Sequence, residues 1–75
     1  MVLRSYWKHD TRTWLNAKTD EGWMAYVRGE GWKPYPWGHE IDYGETSDWW
    51  IATEAEALEI IKALGGSEAD MLPAG

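Results

Sequence analysis

Residues 49–66 read WWIATEAEALEIIKALGG, and this run holds a strand, a helix start, an apolar helix face and a helix stop. Thr53 and Glu56 stand three apart, the spacing at which each side chain caps the other's backbone N–H at a helix N-terminus. Glu54 adds negative charge where the helix dipole is positive. Ala57, Leu58, Ile61 and Leu64 recur at three- and four-residue intervals and share one face. Gly65 and Gly66 supply the left-handed residue on which helices end. The spacing predicts a helix over 54–64. Residues 49–52, apolar and without helical spacing, are predicted as a strand running into it. A short helix with one apolar stripe is marginal alone in water, so its partner surface must come from upstream.

Upstream, the apolar period changes from helical to alternating. Residues 2–8 set Leu3, Ser5 and Trp7 against Arg4, Tyr6 and Lys8. Residues 12–19 set Thr13, Leu15 and Ala17 against Arg12, Trp14, Asn16 and Lys18, and residues 22–28 set Trp23, Ala25 and Val27 against Met24, Tyr26 and Arg28. The links between them are of hairpin length, which predicts an antiparallel meander. In residues 32–37, Pro34 and Pro36 remove two donors from one side of the backbone, which restricts that strand to a sheet edge. An irregular stretch follows, with a short strand expected at HEIDY, residues 39–43. The expected architecture is therefore α+β: an antiparallel sheet of three to five strands (about 2–8, 12–19, 22–28, 32–37 and 49–52) with one C-terminal helix on a single face. Residues 1–66 form the domain, and 67–75 are read as a polar, irregular tail. Leu3, Trp7, Leu15, Ala17, Trp23, Ala25 and Val27 are expected to meet the helix. The opposite face would then be cationic and aromatic.

A chain of 75 residues with 44% hydrophobic content is one globular domain. Seven tryptophans, each able to bury roughly 150–250 Å², help so short a chain build a core. The absence of cysteine excludes disulfides, thiolate metal sites and cysteine nucleophiles. No apolar run approaches the ~20 residues of a bilayer span, and MVLRSYWKHD at the start lacks the apolar core of a signal peptide. A cytoplasmic protein without a membrane role is expected. Charge is lopsided: residues 1–38 carry six Lys and Arg against four acids, a balance of +2, whereas residues 39–75 carry Lys62 against nine acids, a balance of −8. Such asymmetry serves solubility or marks a charged partner.

Nothing in the chain assembles a catalytic motif. His9 falls in a turn, Ser5, Ser47 and Ser67 lack a nucleophile-elbow setting, and an extended His39 would point away from Glu40. The expectation is a binding protein, not an enzyme, with no cofactor and no metal. Two surfaces compete for that role. The first runs from Trp32 to Trp50, where Tyr35, Trp37, Tyr43 and Trp49 are interface-type aromatics. Glu40, Asp42, Glu45 and Asp48 are interspersed among them as carboxylates that can imitate phosphates. A protein partner with a basic surface fits this stretch. In size and charge the chain resembles small acidic phage-encoded anti-defence inhibitors, which block nucleic-acid-handling machinery, some as DNA mimics. Tryptophan stacking on a sugar is a weaker reading of the same rings.

The alternative surface is the cationic sheet face, on which Arg4, Tyr6, Lys8, Arg12, Trp14, Lys18, Tyr26 and Arg28 would meet phosphates and stack on bases of DNA or RNA. RTWLNAK (12–18), GWMAYVR (22–28) and WWIATEAEALEIIKAL (49–64) resemble, in outline, plant ethylene-response-factor domains and the arm-site-binding domains of phage integrases. That resemblance implies a three-stranded sheet read into a duplex groove. Residues 33–48 have no counterpart in it, and a net charge of −6 opposes phosphate at long range. Oligomeric state is left open.

Overall fold

The computed structural model describes residues 1–44 and 48–74. Five antiparallel strands, β1 (Leu3–His9), β2 (Leu15–Thr19), β3 (Gly22–Val27), β4 (Gly31–Pro34) and β5 (Trp49–Ala52), form one sheet in the order β4-β3-β2-β1-β5. A single turn of helix, α1 (His39–Asp42), interrupts the β4–β5 connection, and α2 (Glu54–Ala63) follows β5 and packs on the sheet. The α+β meander with a C-terminal helix matches the architecture expected from the sequence. Pro34 closes β4, and β4 is an edge strand, where missing donors are tolerated.

Local chemistry accounts for α2. The Thr53 N–H donates to Glu56 Oε1 at 3.1 Å, and the Glu56 N–H donates to Thr53 Oγ1 at 3.2 Å, which completes the capping box. The second Glu56 oxygen pairs with Lys8, so the same residue caps the helix and fastens it to β1. At the far end Gly65 has φ +89°. The Gly65 N–H donates to the Lys62 carbonyl at 3.0 Å and the Gly66 N–H to the Ile61 carbonyl at 2.8 Å, the paired bonds of a Schellman stop.

The faces of the sheet differ from expectation. Leu15 and Ala17 of β2 meet the helix as predicted, but β1 and β3 present the other set of residues. Tyr6 (2% exposed) and Tyr26 (9% exposed) join Leu15, Ala17, Ala57 and Ile61 in the core, while Trp7 and Trp23 pack on each other on the opposite face. A register shift between Leu3 and Ser5 is the reason in β1. It leaves Leu3 against the core and brings Tyr6, three residues on, to the same side, which strict alternation forbids. The cationic aromatic face is therefore not assembled. Of its residues, Tyr6 and Tyr26 are core, Lys8 is paired with Glu56, and Met24 lies on the helix side opposite Ala17.

The buried phenols and an indole also explain residues 67–74, which are not an irregular tail. Tyr6 Oη accepts from the Leu72 N–H at 2.8 Å, Tyr26 Oη donates to Asp70 Oδ2 at 2.9 Å, and Trp32 Nε1 donates to the Asp70 carbonyl at 2.8 Å. Rings with one polar tip bury their bodies and hydrogen-bond their ends, and here the partner is a 3₁₀ turn at Glu68–Asp70 that brings Met71 and Leu72 onto the core. The Leu3 N–H donates to the Pro73 carbonyl at 2.8 Å and ties the segment to β1.

Candidate functional site

Joining β4 to β5 takes the chain from one edge of the sheet to the other, and it crosses the face that α2 leaves open. Trp23 is its seat. Gly38 lies so close to that indole that a Cβ there would fall 1.9 Å from Trp23 Cγ. The Tyr35 N–H donates to the Trp23 carbonyl at 2.9 Å, and Trp23 Nε1 donates to Asp42 Oδ2 at 2.8 Å. Lys18 of β2 pairs with the other Asp42 oxygen and lies 5.8 Å from the Trp23 ring centre. Ile41 is buried beneath. Residues 39–42 are helical, not the short strand expected at HEIDY, and one helical turn lets Ile41 and Asp42 both hold the connection to the sheet.

The residues expected to bind a protein divide into two groups on this scaffold. Asp42 is exposed but turned onto the sheet, and the hydrogen bonds from Lys18 and Trp23 hold its carboxyl below the usual carboxylate range. Tyr35 is half-buried, with its ring edge-on to Trp37 (6.0 Å) and Trp49 (6.2 Å). Trp37 and Tyr43 turn outward, 57% and 77% exposed. Glu40 is half-buried on α1, Asp48 is exposed with its carbonyl accepting from the Asp10 N–H at 2.7 Å, and Glu45 lies outside the described residues. Trp50 and Ile51 of the β5 edge are also exposed.

A second aromatic group occupies the end of the sheet where β2 begins and β3 ends. Trp49 stacks on Trp14 at 6.3 Å and 23°, and His9 meets both rings edge-on at 4.8 and 5.1 Å. His9 Nδ1 accepts from the Thr11 and Arg12 N–H groups at 3.2 Å each, so the ring is protonated on Nε2 and closes the turn before β2. That turn, not strand, occupies residues 10–13, and β2 starts at Leu15 rather than 12. The Arg12 guanidinium lies 5.1 Å from the Trp14 ring centre. Together with Tyr35, Ala25, Val27 and Asn16, the two indoles border a cavity of about 480 Å³. Of the other residues assigned to nucleic acid, Arg4 is exposed at the register shift, Lys18 is taken by Asp42, and Arg28 donates to the Ala63 carbonyl at the α2 C-terminus at 2.9 Å.

Sequence reading missed Gly38 as the latch, Trp7 and Trp23 as its seat, and Asn16 as a buried group. Among the described residues no three His, Asp or Glu side chains converge to hold a metal ion, and no helix is long and apolar enough to cross a membrane. No protein-family model matches the chain, and neither a curated protein nor a solved structure matches it significantly.

The Asp42 latch has a pH signature. Its carboxyl titrates lower in the folded state than in the unfolded chain, where a carboxyl of this kind titrates near pH ~4. The latch therefore contributes stability above that value and loses it as pH falls through the folded-state pKa. Asp70, lowered by the Ser67 N–H and then by Tyr26, adds to the same limb. Thermal melts between about pH 6 and 2 should show a falling melting temperature. In Asp42→Asn, which can keep the Trp23 bond and lose the charge, the decline should be shallower and start from a lower value. An acid limb identical to wild type would mean that the Lys18–Asp42 pair contributes nothing.

Proposed function

We propose that the protein is a non-enzymatic binding module that docks on a protein partner through Trp37 and Tyr43, in the manner of an acidic inhibitor of nucleic-acid-handling machinery acting in the cytoplasm. One observation carries the reading. The connection bearing these two rings is latched to the sheet by Gly38, Ile41 and Asp42, yet the rings are more than half exposed. Large apolar groups held rigidly in solvent bind with little ordering cost, and Trp and Tyr are the side chains that most often dominate interfaces. The −8 balance of residues 39–75 favours a partner with a basic surface. Asp42 is removed from the steering set by Lys18, which leaves Glu40 as the acid on α1 beside the two rings.

The nucleic-acid alternative has less support, because two of its stacking rings, Tyr6 and Tyr26, are core. What it retains is Arg12 over Trp14. Affinity capture from a lysate of the source organism separates the two, with wild type and Trp37→Ala as baits and with or without nuclease. The protein-docking reading expects one partner that survives nuclease and is lost with Trp37→Ala. Enrichment that vanishes with nuclease would favour the alternative, and equal capture by both baits would remove Trp37 from the interface.

A further inference from the structure

We propose that the free edge of β5 is a docking site for an extended, basic segment of a partner protein, which adds to the five-stranded sheet as a further strand. This goes beyond the preceding reading, since it uses neither Trp37 nor Tyr43. β5 is the last strand of the sheet, and its register with β1 fixes which of its groups face outward. The Asp10 N–H donates to the Asp48 carbonyl at 2.7 Å, which makes these two a hydrogen-bonded pair. In an antiparallel ladder such pairs alternate with non-bonded ones, so Trp50 and Ala52 bond to β1 while the backbone groups of Trp49 and Ile51 point away. The His9 N–H agrees, since it turns from Trp49 to the Trp14 carbonyl at 3.4 Å. Among the described residues no backbone group meets the outward N–H and carbonyl groups of Trp49 and Ile51. Past them the Thr53 N–H and carbonyl are taken by Glu56 and Ala57, so the helix cap sets the end of the open edge.

The two edges of the sheet are built differently. Exposed edges invite pairing with other chains, and proteins guard them with lysine, proline or bulges. β4 carries Lys33 and Pro34, both exposed, with Pro36 beyond. β5 has none of these: its register is unbroken, and Trp50 and Ile51 are 56% and 65% exposed. Trp50 stands beside Lys8 on the helix side and Ile51 beside Trp7 on the other, so an added strand gains an apolar contact on each face. Strand addition takes affinity from main-chain bonds and specificity from alternate side chains. Charge selects the occupant. Residues 34–61 hold seven acids and no Lys or Arg, and Asp10 and Glu54 border the grooves beside the edge. Lys8 is neutralised by Glu56, which leaves Arg4 as the remaining Lys or Arg on those grooves among the described residues. A second copy of the chain fits less well. It brings a net charge of −6 against −6, and a four-residue strand buries far less than the roughly 1,200 Å² at which stable interfaces begin. A basic strand that binds transiently needs neither like charges in contact nor that area.

The test titrates an acetylated and amidated peptide, Lys-Arg-Thr-Val-Ile-Val-Thr-Arg-Lys, to about 5 mM into the uniformly ¹⁵N-labelled full chain, in the affinity range of weak ligands. One control is the same peptide N-methylated at its central isoleucine and the valine before it, which keeps the side chains and removes main-chain donors. The other replaces every basic residue with glutamate. The basic peptide should shift the Trp49 and Ile51 amides saturably and slow their hydrogen exchange more than that of Trp50 and Ala52, which already bond to β1. Each control should bind at least about tenfold more weakly. Ile51→Lys, which gives this edge the guard that β4 has, should weaken the basic peptide by about the same factor. No saturable shift at Trp49 and Ile51, equal binding of either control, or shifts centred on Trp37 and Tyr43 would each overturn the proposal. So would protection of Trp49 and Ile51 that grows with protein concentration in the absence of peptide, the signature of a second copy on the edge. The wild-type comparison decides the matter even if Ile51→Lys fails to fold. Trp37→Ala leaves the peptide result unchanged, so failure of the docking reading and failure of this one are distinguishable.

Discussion

Ile61→Ala is expected to destabilise the protein by about 2–5 kcal/mol, through lost burial and the cavity left behind. Ile61 is fully buried at the centre of the core, among Tyr6, Leu15, Ala17, Tyr26 and Ala57. Small domains hold about 0.05–0.15 kcal/mol of stability per residue, so the loss is a large share of what this chain has. A fall in melting temperature on the order of 10–30 °C follows for a domain of this size. Leu58 lies on the same predicted stripe but is only half-buried, bordering a groove with Met71 and Leu72, so Leu58→Ala should cost about 1 kcal/mol. Thermal melts of the two variants check the ranking. If Ile61→Ala melts within a degree or two of wild type, or Leu58→Ala is the worse of the pair, the packing of α2 is misassigned.

Gly38→Ala should be nearly as damaging, for the opposite reason. The backbone at Gly38 is ordinary, with φ −59° and ψ −26°, so alanine is not strained there. Its methyl, however, would sit 1.9 Å from Trp23 Cγ and 2.4 Å from Trp23 Cβ. Those atoms are at the root of the side chain, and the ring beyond is held by Trp7, Lys18 and Asp42. Either the indole leaves its place or the connection lifts from the sheet. Overpacking of this kind costs about 1–3 kcal/mol. The change should be local: amide shifts and faster hydrogen exchange at residues 35–44 and around Trp7 and Trp23, with the α2 core unchanged. Amide spectra and exchange rates that match wild type across 35–44 would contradict the latch.

The elements whose cause is local were the ones legible beforehand. Thr53, Glu56 and Gly65 act within a few residues of themselves, so the ends of α2 followed from spacing alone, and short hairpins dictated the order of β1 to β4, whereas the place of β5 beside β1 depends on the long connection after β4. Faces were harder. The register shift at Leu3–Ser5 leaves no mark in the alternation of LRSYWK, and both faces of the sheet are covered, one by α2 and one by the β4–β5 connection. With apolar cover on each side, the rule that the more hydrophobic set meets the helix no longer discriminates Trp7 and Trp23 from Tyr6 and Tyr26. The 3₁₀ turn did have a signal, Ser67 three residues before Asp70, the same spacing as Thr53 and Glu56. At the candidate site the aromatics stood out by composition. The separate roles of Asp42, turned onto Lys18, and of its neighbours did not, because they depend on a contact between residues 24 apart. Asn16, between Leu15 and Ala17, reads as an exposed polar residue, yet it is buried between Trp7 and Ala25 of the neighbouring strands, which are distant in sequence.

Trp37 decides whether the connection is a binding surface or only a cover for the sheet. The direct measurement is the dissociation rate of the captured partner from Trp37→Ala, taken together with the variant's melting temperature. Because the indole is more than half exposed, the variant should melt within a few degrees of wild type. Loss of a true anchor costs about 2 kcal/mol or more, which shortens the lifetime of the complex about thirtyfold. A variant that unfolds, or one that stays folded and releases its partner at the wild-type rate, would contradict the account.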